Sequence, residues 1–182
     1  ADRAEWDAAL AAKVASFSPD LVVCAGFMRI VGPALIAAFP QRIVNVHPAL
    51  LPSFPGTDGA AQAIAKGVRI AGCTVHIVDA GVDTGPILAQ AAVPVLPSDD
   101  AHTLQARIQT HEHRLLPAVI DAVARGLLVL GERPTFRTLD LPLFAAQAAR
   151  RYCMRDGLTA GACSASEAAS GTGVARVLTR RG

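Results

Sequence analysis

Three prolines, Pro48, Pro52 and Pro55, punctuate the stretch from Asn45 to Gly56, which reads N-V-H-P-A-L-L-P-S-F-P-G. Each lacks a backbone N–H, so neither a regular helix nor a central strand can pass through. The apolar pair Ile43-Val44 runs into this stretch as the end of a strand. On extended chain, residues two apart point to the same side, so Asn45 and His47 can address one target together. A polar pair at a strand end, followed by a stiff apolar loop, is where an open α/β sheet commonly builds a site. The alternative is a plain turn, with Asn45 capping it and His47 solvated.

The chain has 182 residues, 52% hydrophobic and 18% charged, which suits one well-buried globular core. A net charge of +2 and the lack of a basic stripe with interleaved aromatics argue against a nucleic-acid partner. No apolar run is long enough to span a bilayer, and Ala1 to Leu10 carries acids where a signal peptide would be apolar. Cys24, Cys73, Cys153 and Cys163 form neither a CxxC pair nor a metal-ligand spacing with histidine. A reduced cytoplasmic setting fits, and the oligomeric state stays open.

In chain order, Trp6, Leu10 and Val14 recur at fourfold spacing and predict an amphipathic helix over residues 2–16. Leu21 to Ala25 is a short apolar run that predicts a buried parallel strand. Pro33 suits the first turn of a helix reaching about Phe39. A strand over residues 42–46, a helix over 58–66 closed by Gly67, and strands over 68–78 and 86–95 follow, with Pro94 pointing to a sheet edge. Ser98 or Asp99 is positioned to cap a helix to about Arg125, kinked at Pro117, and residues 127–130 suggest a last short strand. This alternation predicts an α/β domain with a mostly parallel sheet and flanking helices. After about Glu132 no period survives. Residues 132–182 read as a divergent tail, disordered from about 157.

Arg29, the pair Asn45/His47, and Asp79 with Asp83 then lie at strand ends or in loops. An amide N–H can donate to an oxygen that gains negative charge. A carboxylate beside an imidazole favours its protonated form, and the imidazolium can donate to the same oxygen and transfer a proton. Such a trio suits attack of an amine on a carbonyl with no covalent enzyme intermediate. Spacing alone does not bring Asp83 to His47.

With A-G-F-M-R-I before it and G-C-T-V-H-I-V-D-A-G-V-D-T-G-P-I-L-A-Q after it, the proline-rich stretch resembles the phosphoribosylglycinamide formyltransferase family over about residues 2–130. The resemblance implies a Rossmann-like formyltransferase fold and transfer of the formyl group of 10-formyltetrahydrofolate to glycinamide ribonucleotide in purine biosynthesis. It implies Asn45, His47 and Asp83 as the catalytic trio, His47 as proton donor and Asp83 as the group that raises its pKa. It further implies a folate pocket of Arg3, Met28, Arg29, Ile30 and Val31, completed by Asn45 and by Asp79, Ala80, Gly81, Val82 and Asp83. Gln109, Thr110, His111 and Glu112 would hold the ribonucleotide, Glu112 on its ribose hydroxyls.

The chain departs from the family in three ways. A first strand and Gly-Ser phosphate loop have no counterpart here, so residues 1–131 are expected to be the C-terminal catalytic portion of such an enzyme. Asp58 stands where the family often has histidine. The sequence after about Glu132 does not follow the family's ending.

On the residue pattern alone, several of these positions have plainer readings. His76, mid-strand, reads as a satisfied core histidine. Phe27 and Met28 read as core, Arg29 as a surface charge or a ligand contact, and Asp79 as a turn residue. His111, Glu112 and His113 lack the i, i+4 histidine spacing of a zinc helix, so no metal is expected. A formyltetrahydrofolate deformylase and an inactive folate-binding fragment are the competing readings. Methionyl-tRNA formyltransferase is disfavoured, because no basic C-terminal β domain follows.

Overall fold

The computed structural model describes residues 2–137 and 175–178. Its elements in order are α1 (Arg3–Ala15), β1 (Leu21–Cys24), α2 (Pro33–Ala38), β2 (Ile43–His47), α3 (Gly59–Lys66), β3 (Ile70–Ile77), β4 (Ile87–Pro94), α4 (Ala101–Ala124), β5 (Leu128–Val129), β6 (Thr135–Phe136) and β7 (Ala175–Leu178).

Among the described residues, five strands form one sheet in the order β4-β3-β2-β1-β7. The α/β class is as expected, but the strand directions are more mixed than the apolar runs suggest. β1 and β2 are parallel, whereas β3 runs antiparallel to β2, β4 to β3 and β7 to β1. An apolar run reports burial on both faces and carries no sign of direction, because direction is set by the connection. Between β3 and β4 that connection is the short 78–86 loop, which can only return the chain antiparallel. The edge position expected from Pro94 is observed, since β4 ends the sheet.

Within the expected tail, Ala175–Leu178 is instead a strand, lying alongside β1. Its partner lies far away in sequence, which no local period reports. The rest of the stretch expected to be disordered lies outside the described residues. Residues 135–136 close a small hairpin with β5, apart from the main sheet.

The strand alternation divides the core in two. Val22, Cys24 and Ile43 face α1 and α2, together with Leu35 and Phe39. Val23, Val44, Cys73, Val75 and Ile77 face the other way, towards α3 and α4, where Leu104, Ile108 and Val119 are fully buried. α4 is capped by Asp100, one residue past the expected caps, through a reciprocal capping box with Thr103. Asp99 is engaged elsewhere: it accepts from the Leu96 N–H and forms a two-pronged pair with the Arg107 guanidinium. Those donors, Arg107 foremost, hold its carboxyl down at about 2. The helix continues through Pro117.

Truncating Ile108 to alanine removes a fully buried side chain at the α4–sheet interface. We expect the loss to be about 2–5 kcal/mol, read as a lower urea midpoint at unchanged m-value.

Candidate active site

Asn45 and His47 alternate on one face of β2, and Thr74 and His76 lie opposite them in β3, with Asn45 registered against His76 and His47 against Thr74. This is the α1–α2 side of the sheet, since Ile43 of the same face packs there. Two loops cover it. The first is the proline-rich stretch after β2, with a cis Leu51-Pro52 bond and Phe54 and Asp58 at positive φ. Its start is tied down by the Thr74 hydroxyl, which accepts from the Leu51 N–H at 3.0 Å and donates to the Ala49 carbonyl at 2.7 Å. Gln90 adds its own amide, donating to the Leu51 carbonyl and to the Thr74 oxygen.

The second loop is Asp79 to Gly85. Asp79 shapes it from within: one carboxylate oxygen accepts from the Gly81 N–H and the Thr84 hydroxyl. The turn reading of Asp79 therefore describes its contacts. At Gly85 the chain passes so close to β3 that an added Cβ would sit 1.9 Å from the Ile77 carbonyl oxygen. Only glycine fits there. Asp83 takes a left-handed backbone conformation, φ 56°, uncommon for a residue with a side chain.

That conformation brings Asp83 to the histidines. Its Oδ2 accepts from the Gly56 N–H at 2.8 Å and lies 3.4 Å from His47 Nδ1. Its Oδ1 lies 3.4 Å from His76 Nε2. His47, only 4% exposed, donates from Nε2 to the Phe54 carbonyl at 2.8 Å. His76 is 2% exposed, and burial pushes its pKa below the ordinary 6.5. Its Nδ1–H donates to the Ile77 carbonyl at 3.0 Å, leaving Nε2 to accept from the Asn45 amide at 3.2 Å. The core reading of His76 is thus half of its description. It is buried and satisfied, and it also orients Asn45, whose second amide N–H has no hydrogen-bond partner among the described residues. The period-two pattern puts Thr74 and His76 on one face, but their partner strand is a matter of register. A bulge in the β3–β4 ladder between Val75 and His76 lies beside this position, as bulges often do next to sites.

The structure brings Asn45, His47 and Asp83 together and adds His76. Val82 is 48% exposed on the covering loop, with Ala80 and Gly81 exposed beside it. In the segment after β1, Met28 is 85% and Ile30 57% exposed, so Met28 is not core. Arg29 is neither of its two expected types alone: exposed, it lies over the Trp6 ring at 4.9 Å. Val31 packs against the α1–α2 core. Arg3 is exposed at the start of α1.

Gln109, Thr110, His111 and Glu112 stand on α4, across the sheet. Among the described residues no hydrogen bond or ion pair joins them to the trio. The Thr110 hydroxyl donates to the Arg107 carbonyl, and Glu112 has its pKa raised by burial. Glu112 acts on Cys73 of the opposite face, whose thiol burial pushes up to about 12. No group of three or more histidine, cysteine or acidic side chains able to hold a metal occurs among the described residues, and no described helix is long and apolar enough to cross a membrane.

An amide, two imidazoles and a carboxylate gathered under two loops of an α/β sheet can together donate to an oxygen that gains negative charge and exchange a proton with it. Residues 1–120 match the formyl transferase family model. The chain is 56% identical over 134 residues to phosphoribosylglycinamide formyltransferase of Mycobacterium tuberculosis, covering 73% of this chain and 62% of that protein. The Bacillus subtilis protein of the same name is 41% identical over 132 residues, 72% of this chain and 67% of its own length. Among solved structures, glycinamide ribonucleotide transformylase 1 from Symbiobacterium toebii superposes with a TM-score of 0.71 at 50% identity, over 74% of this chain and 64% of that one. This chain belongs to the formyl transferase family. It spans a little under two thirds of the length of the mycobacterial relative.

Burial of neutral His76 has a pH consequence. Its native pKa lies below the unfolded value of about 6.5, so the unfolded chain binds the proton first as pH falls. The stabilisation is complete above 6.5 and is lost progressively as pH falls towards the native value. Urea unfolding at pH 7.5 and 5.5 should show this loss in the unaltered chain and a smaller one in His76→Gln.

Proposed function

We propose that residues 1–131 are the catalytic portion of a phosphoribosylglycinamide formyltransferase, moving the formyl group of 10-formyltetrahydrofolate to the amine of glycinamide ribonucleotide in purine biosynthesis. The single observation that supports this most is the convergence of Asn45, His47 and Asp83, from β2 and a loop 36 residues further on (47 to 83), in a chain of this family.

The amine attacks the formyl carbon, and the carbonyl oxygen becomes an oxyanion. The free amide N–H of Asn45, oriented by His76, donates to that oxygen. His47 donates alongside it once its Nε2–H exchanges the Phe54 carbonyl for the substrate oxygen. Asp83 balances the charge on the ring from the Nδ1 side. The tetrahedral adduct collapses, the bond from carbon to the folate nitrogen breaks, and His47 handles the proton that passes from the amine to the leaving nitrogen. Met28, Arg29, Ile30, Val31 and Arg3, with the Asp79–Asp83 loop, form the folate side. Gln109 to Glu112 hold the ribonucleotide. Charge is met by N–H groups, so in this reading no metal ion takes part. The partners are small molecules, in the cytoplasm, with neither nucleic acid nor membrane.

The test follows tetrahydrofolate release from 10-formyltetrahydrofolate. Release that requires glycinamide ribonucleotide is expected, and release in its absence would mean that water is the nucleophile and overturn the assignment. Asn45→Ala and His47→Ala each remove an oxyanion donor and Asp83→Ala removes the carboxylate that faces His47, so each should lower turnover by about 10²–10³-fold, with the fold retained by circular dichroism. Near-normal turnover of His47→Ala would refute the mechanism.

A further inference from the structure

The segment from Met28 to Gly32 links β1 to α2 and shows an unusual division. Met28 and Ile30 are apolar and largely exposed, whereas the residues around them are anchored to α1. Arg29 is held over the ring of Trp6. At the other end, the Asp7 carboxylate accepts the Ala34 N–H at 2.7 Å. It thereby caps α2, which has no side-chain cap of its own at Gly32. Asp7 is 4% exposed, and its second oxygen, Oδ1, is the one buried side-chain polar atom among the described residues without a hydrogen-bond partner. Leaving such an atom unpaired is costly. Gly32 is pressed against the same carboxylate: an added Cβ would lie 2.1 Å from Asp7 Cγ. Two adjacent residues of one helix therefore hold a short segment at Arg29 and at Gly32–Ala34, while Met28 and Ile30 stay largely exposed.

We propose that Trp6 and Asp7 are positioning residues that hold the Met28–Val31 segment in the shape that offers Met28 and Ile30 to the ring system of the formyl donor. The proposal rests on the reading above of this segment as donor-binding. Asp7 acts on the backbone through Ala34 and Gly32, and Trp6 acts through the Arg29 guanidinium. Neither touches the reacting atoms. A segment fixed beforehand loses little conformational freedom when the ring arrives, so the grip appears in affinity and not in the chemical step.

The test uses the full chain and folic acid as probe, with binding measured by titration calorimetry and backbone order by amide hydrogen exchange. Asp7→Ala and Trp6→Ala should bind about tenfold more weakly, the cost of ordering the segment on binding, with faster exchange over residues 29–35. Asp7→Asn keeps an oxygen for the Ala34 N–H, and Trp6→Phe keeps a ring for Arg29, so both should stay near the unaltered affinity. If Asp7→Ala does not fold, Gly32→Ala reaches the same contact from the other side and should weaken binding likewise. Adding Asp7→Ala to Gly32→Ala should then cost less than the sum of the two, because the first makes room for the second. Unchanged affinity and exchange in Asp7→Ala and Trp6→Ala, or additive effects of Asp7→Ala and Gly32→Ala, would overturn the proposal while the donor-binding reading stands. Failure of the unaltered chain to bind folic acid would overturn that reading and the proposal with it.

Discussion

The Asp83 carboxylate is the joint on which the site depends. One of its oxygens takes the N–H of Gly56 and faces His47, and the other faces His76. Three separate parts of the chain, the proline-rich loop, β2 and β3, thus meet at a single side chain. Its backbone sits in the left-handed region, a conformation that surrounding structure must enforce. The close passage at Gly85 and the Asp79 turn supply that enforcement.

Around this joint the hydrogen bonds form a directed chain. Ile77 fixes the tautomer of His76, His76 takes one N–H of Asn45, and the other N–H has no partner among the described residues. On the far side, Gln90 and Thr74 hold the beginning of the proline loop, and the loop's Phe54 carbonyl meets His47. Buried polar networks are valuable only when their members are satisfied. Among the described residues the one buried side-chain atom left over, on Asp7, lies outside this network and under the segment that follows β1.

Asn45 and His47 lie on the α1–α2 side of the sheet, while α4, the helix that carries Gln109–Glu112, packs on the other through Leu104, Ile108 and Val119. A spacing argument cannot see that separation, because the helix period reports only which residues of α4 share a stripe. The same limit explains His76. Its alternation with Thr74 was legible, but its pairing with Asn45 depends on the β2–β3 register, which is set by loops and by long-range burial.

By itself the sequence determined the elements. Proline and glycine positions and apolar periods located α1 to α4, β1 to β4 and the two loops, because each signal is local and rests on backbone sterics or side-chain period, whereas the trio was named only through the family resemblance. The sequence also pointed to Pro94 as an edge residue, since proline cannot donate to a ladder. Only the tertiary structure decided the strand directions, the pairing of β7 with β1, the place of His76 beside Asn45, and the contact of Asp7 with Gly32 and Ala34. Each of these joins residues distant along the chain, and their closeness follows from how whole elements pack, not from any pattern within one of them.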